Sequence, residues 1–205
     1  MKNLLYYILP FSVYVLATYL TDIFKLNFYL SYSIRGILTF LLFVYFWKKY
    51  KVKFKLDFLS IIIGVVIFIV WLALEGVFVK ADIQYDPTLI PNLFVPLILL
   101  KVFSMVLVAP FIEELFTRSF LIRFFIEPRK WEKVKLGSYT FFSFILTALF
   151  FGFMHQRWLQ GIIVGIILNL LLYKTKRIDT CIQAHIVGNL LLAVFAIITQ
   201  NWVLW

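Results

Sequence analysis

Residues 93–126 read LFVPLILLKVFSMVLVAPFIEELFTRSFLIRFFI, a run of 34 residues in which only Lys101, Glu113, Glu114, Arg118 and Arg123 carry charge. An apolar segment of about 20 residues crosses the hydrocarbon core of a bilayer as a helix. At 1.5 Å per residue this run extends about 51 Å, too long for one upright crossing, so it must bend, tilt or break. Pro96 and Pro110 are the expected places, because an interior proline removes one helix hydrogen bond. Two shorter helices are the alternative.

The rest of the chain has the same character. Of its 205 residues 63% are apolar and 15% charged, against roughly 25% charged in an average soluble domain. A folded chain of this size still exposes about 30% of its unfolded surface, so the surrounding solvent must be lipid. Seven candidate spans follow, at 4–20, 28–47, 58–79, 93–126, 138–155, 159–173 and 180–198. Backbone amides in lipid must pair within their own segment, and no alternating pattern points to a barrel. The expected fold is therefore all-α, a polytopic membrane helix bundle of about seven transmembrane helices, with six to eight compatible. The first span follows Met1-Lys2 without a small-residue cleavage site and is read as a retained helix.

The formal charge is +10, yet the basic residues lie between apolar runs and not on one folded face, so nucleic acid is not an expected partner. Lys48, Lys49, Lys51, Lys53 and Lys55, then Arg129, Lys130, Lys133 and Lys135, then Lys174, Lys176 and Arg177 fill three connections separated by pairs of crossings. The positive-inside rule puts all three, with Lys2, in the cytoplasm. The longest opposite connection, 80–92, holds Asp82, Asp86, Pro87 and Pro91 and reads as a turn-rich loop. A single cysteine, Cys181, excludes an internal disulfide and a four-thiolate metal site.

Ionisable groups inside lipid cost several kcal/mol, which makes each a functional candidate. Glu114 and Arg118 are four apart on one helical face and pair; Glu113 points about 100° away and keeps a carboxylate for proton transfer. The chain has two histidines, both read as lying in apolar helices: His155 in Phe151-Gly-Phe-Met-His155, and His185 four residues before Asn189. His185 and Asn189 share a face and converge like donors to an oxyanion. Arg35, Glu75 and Lys101 are taken as pairing or snorkelling groups. Trp47, Trp158, Trp202 and Trp205 are read as interfacial anchors, and Gly152, Gly161, Gly165 and Gly188 as points of close helix approach.

The ordered set Glu-Glu-x-x-x-Arg, Phe-x-x-x-His and His-x-x-x-Asn, spread over separate helices from Glu113 to Asn189, resembles the CAAX-protease and bacteriocin-processing (CPBP) family of glutamic intramembrane proteases, which includes the type II CAAX prenyl endopeptidases. The resemblance implies that Glu113 activates a water with help from His155, that His185 and Asn189 stabilise the oxyanion, and that Glu114 and Arg118 hold the site in shape. It implies an endopeptidase acting on a membrane-anchored or lipid-modified peptide, with no cofactor and no metal. On this reading 1–205 is a single integral membrane domain with its catalytic core at about 93–198, the helices of 4–79 being accessory. A compact chain with few crossings fits a prokaryotic cell membrane and a peptide-processing or immunity-type role; the oligomeric state is open.

Other readings stay beside this one. A glutamate and two histidines are also common zinc ligands, although no His-Glu-x-x-His helix is present. Cys181, four residues before His185, is a conceivable thiolate nucleophile. A non-catalytic scaffold or immunity protein would use the same fold, and a transporter is disfavoured for want of a repeat. Counted from these span ends, Glu113, His155 and His185 lie about 20, 25 and 9 Å deep, so side chains meant to meet require at least one boundary to shift.

Overall fold

The structure is a computed structural model that describes residues 4–24, 28–76 and 94–204. The expected 80–92 loop, Lys2 and Trp205 lie outside the described residues. Among the described residues every regular element is helical. Helix α1 is Leu5–Ile23, α2 is Phe28–Tyr50 and α3 is Phe58–Ala73. Next, Phe94–Phe103, Ala109–Glu114 and Ile122–Ile126 are α-helical, with π-helical turns at Ser104–Val108 and Leu115–Leu121 between them. These pieces follow without interruption, so 94–126 is one helical run, α4. Then come α5 (Phe141–Phe153), α6 (Trp158–Thr175) and α7 (Ile178–Thr199).

The fold is the expected all-α membrane bundle. Four stretches are long and apolar enough to cross a bilayer: Leu30–Tyr50, Val95–Ile126, Trp158–Thr175 and Ile178–Thr199. Shorter apolar stretches lie at Leu5–Ala17, Phe58–Ala73 and Phe141–Phe153. Large apolar side chains such as Ile23, Tyr45, Ile69, Phe142 and Ile198 are exposed, as a protein bathed in lipid requires.

The long run does not break into two helices over its described part, 94–126. Pro110 has no N–H to offer Val106, and the helix answers with a π turn immediately upstream, in which the Ala109 N–H reaches back five residues to the Ser104 carbonyl. The second π turn ends in the same way, with the Ile122 N–H on the Thr117 carbonyl.

The described parts of 1–51, 82–112 and 192–205 form one compact unit, and those of 52–81 and 113–191 form another. In the first, the Tyr50 hydroxyl on α2 donates to the Tyr6 carbonyl on α1 at 2.6 Å. Arg35 and Lys101, both buried, turn to one ring: the Arg35 guanidinium lies 3.4 Å and the Lys101 ammonium 4.5 Å from the Tyr32 centroid. Ring faces attract cations, so the Tyr32 side chain helps to hold both charges inside the unit.

The second unit is built on a core that includes Ile67, Ile122, Phe151, Val164, Leu168 and Leu172. α5 and α6 approach so closely that a Cβ on Gly161 would lie 2.8 Å from the Gly152 Cα. Asp57 caps α3 by accepting from the Ser60 N–H at 3.0 Å, and Thr140 and Ser143 form a reciprocal capping box on α5. Three basic connections gather at one end of this unit. Lys55 N–H donates to Asp179, Arg177 pairs with Asp57 and Asp179, and the Lys176 ammonium donates to the Gly137 carbonyl. The Asp179 hydrogen bond raises the already high pKa of Arg177, so this link stays charged.

Candidate active site

Glu113 and Glu114 end the short α-helical piece Ala109–Glu114, directly before the π turn Leu115–Leu121, whose side chains are all buried. Interior π turns often accompany functional sites because they re-aim side chains. Adjacent positions on a helix diverge by about 100°, and the two carboxylates accordingly have different partners.

Glu114 is fully buried. Its Oε1 accepts from Arg118 Nη1 at 3.1 Å and lies 2.9 Å from His185 Nδ1. Arg118, also fully buried, donates through Nη2 to the Gly165 carbonyl at 3.4 Å, and its guanidinium lies 4.1 Å from the Phe151 ring centroid. The anticipated Glu114–Arg118 pair is thus present and serves as a junction joining α4, α6, α5 and α7.

His155 is not in a helix, contrary to the reading of span 138–155. α5 ends at Phe153, Met154 caps it, and His155 sits in the bend that follows. Its backbone N–H donates to the Gly152 carbonyl at 2.9 Å, and its Nδ1 lies 2.6 Å from the Phe151 carbonyl. A carbonyl only accepts, so Nδ1 carries the proton, and in the neutral ring Nε2 keeps its lone pair.

That Nε2 lies 3.9 Å from Glu113 Oε2, and His185 Nε2 lies 4.0 Å from the same oxygen. Glu113 Oε2 is itself buried and has no hydrogen-bond partner among the described residues. The Phe151 ring stands 4.8 Å from the ring of His155 and 5.8 Å from that of His185. The unequal depths counted for upright spans therefore do not keep these groups apart. Asn189 lies one turn beyond His185 on α7 and is half-buried.

Cys181 is wholly buried with its thiol on the Leu168 carbonyl at 3.5 Å, away from any role as an exposed nucleophile. Among the described residues, no group of three or more His, Cys, Asp or Glu is arranged to hold a metal ion. Phe151, which opens the Phe-x-x-x-His motif, packs its ring against both imidazoles and the guanidinium, a role that the motif alone does not assign. Glu75 is a pairing group whose partner, Arg157, carries no signal in the local sequence: Arg157 Nε and Nη2 donate to its two oxygens at 2.6 and 2.7 Å.

Residues 91–191 match the family model described as type II CAAX prenyl endopeptidase Rce1-like. This segment is similar to the Rce1-like family. The match contains Glu113, Glu114, Arg118, His155, His185 and Asn189. No curated protein and no solved structure matches the chain. The match supports a CAAX-type intramembrane protease fold and a peptide hydrolase class, and with the apolar helices it supports an integral membrane protein.

Proposed function

We propose that the protein is an intramembrane glutamic endopeptidase that hydrolyses a membrane-anchored or lipid-modified peptide with a water activated by Glu113. The observation that carries this reading is the convergence of Glu113 Oε2 with the Nε2 atoms of His155 and His185 at 3.9 and 4.0 Å. Groups at that separation are bridged by one water about 2.8 Å from each.

In the proposed reaction the water donates to the Glu113 carboxylate and to His155 Nε2 and attacks the peptide carbonyl with its free lone pair. Glu113 takes one of its protons, a C–O bond forms, and the carbonyl oxygen becomes an oxyanion. His185, anchored through Nδ1 to the Glu114 carboxylate, directs Nε2 toward the site and in its imidazolium form donates to that oxyanion, with Asn189 as second donor. Collapse breaks the C–N bond as Glu113 passes its proton to the leaving amine. Each fixed donor in a dry site contributes about 3 to 4 kcal/mol to the transition state. The donor and base set is complete without a metal or cofactor.

The gathering of the basic connections at one end supports placing that end in the cytoplasm, here of a prokaryotic cell membrane as the small number of crossings suggests. The test is mass spectrometry of membrane peptides from cells holding the wild-type protein or the Glu113→Gln protein. A peptide shortened only in the wild-type cells supports hydrolysis; identical peptide sets point to a scaffold or immunity protein without turnover.

A further inference from the structure

His155 lies beyond the end of α5, so helix hydrogen bonding does not by itself hold its ring. The bend that carries it is tied instead to the turn that follows α3, at Leu74 and Glu75. Arg157 closes a two-point, charge-assisted pair with Glu75 at 2.6 and 2.7 Å, and the Gln160 amide donates to the Leu74 carbonyl at 3.0 Å. Trp71, one turn before Glu75, stands edge to face with the His155 ring at 6.0 Å. α3 is a rigid base for this, since a Cβ on Gly64 would lie 2.7 Å from the Ala184 carbonyl of α7.

We propose that Glu75 and Arg157 are positioning residues for His155, so that the end of α3, outside the segment 91–191 that matches the family, is a working part of the site. A planar guanidinium fork on a carboxylate fixes orientation as well as distance, and a lysine in its place supplies only a point charge. A single residue, Gln156, separates Arg157 from His155, so a shift at the fork passes into the ring. The catalytic consequence rests on the hydrolytic reading above; the positional one rests on geometry alone.

The two are separated by experiment on the full-length protein in detergent. Histidine labelled with ¹⁵N in its ring reports two imidazoles, because the chain has two histidines. In Glu75→Gln, and independently in Arg157→Lys, the His155 signals shift or broaden while those of His185 stay in place. In the same variants kcat falls about 10- to 100-fold, the scale set by a displacement near 1 Å, with KM unchanged. The reversed pair, Glu75→Arg with Arg157→Glu, recovers part of both readouts. Unmoved His155 signals with an intact kcat overturn the proposal, as does movement of both histidines together with a lower melting temperature, which marks a general structural tie. If His155 moves and the wild-type protein cleaves nothing, the hydrolytic reading fails and the positional one stands.

Discussion

Glu114 Oε1 accepts the Nδ1 proton of His185 at 2.9 Å while holding Arg118 at 3.1 Å. One buried carboxylate thus sets the orientation of an imidazole 71 residues away and neutralises the charge beside it. Removing one partner of such a pair strands the other. Glu114→Gln is expected to destabilise the protein by about 3 to 5 kcal/mol, and Glu114→Gln with Arg118→Met by less than Glu114→Gln alone. Thermal unfolding in detergent checks the ordering; a double variant worse than the single contradicts it.

Glu113 has the opposite profile. Its Oε2 has no direct hydrogen bond to lose among the described residues, so Glu113→Gln is expected to keep the wild-type melting temperature and to lose at least about 100-fold in cleavage rate, up to about 10⁴. His155→Ala should match it in activity. Wild-type turnover by Glu113→Gln removes the glutamate from the mechanism.

The α5–α6 contact leaves no room for a methyl group at position 161, where the new Cβ would meet Gly152 Cα at 2.8 Å and His155 Nδ1 at 3.3 Å. Gly161→Ala should cost about 1 to 3 kcal/mol through overpacking and lower cleavage as well. A stable, fully active Gly161→Ala protein would show that the two helices separate freely.

The thiol of Cys181 is shielded on all sides. Cys181→Ala is expected to retain cleavage, and a thiol-alkylating reagent should label the wild-type protein only after unfolding. Rapid labelling of the folded, active protein contradicts that burial.

Cleavage should also survive extended incubation with a strong chelator, because the proposed base and donors all come from side chains. Loss of activity on chelation, restored by zinc, would move Glu113, His155 and His185 from water activation to ligation.

The medium and the helical class were legible without coordinates, and so were the ionisable residues that the structure brings close together. Lipid excludes unpaired polar groups so strongly that a carboxylate or an imidazole in an apolar run stands out from its neighbours. The Glu114–Arg118 pair was legible too, since partners four apart on a helix meet through local periodicity. The basic connections were assigned to one side for a similar reason, because each pair of crossings returns the chain to the same face.

Contacts between distant parts of the chain have no such local rule. The tie from Glu75 to Arg157 spans 82 residues and depends on how α3 packs, which no period in the sequence encodes. The same holds for the meeting of Glu113 with two imidazoles, for the ring of Phe151 between them, and for Tyr32 facing two cations. The end of α5 before His155 and the π turns around Glu113 and Glu114 are equally matters of packing. Composition and spacing state which groups lipid must have bought at a cost and along which helix face they lie; side-chain interlocking between helices sets which of them touch.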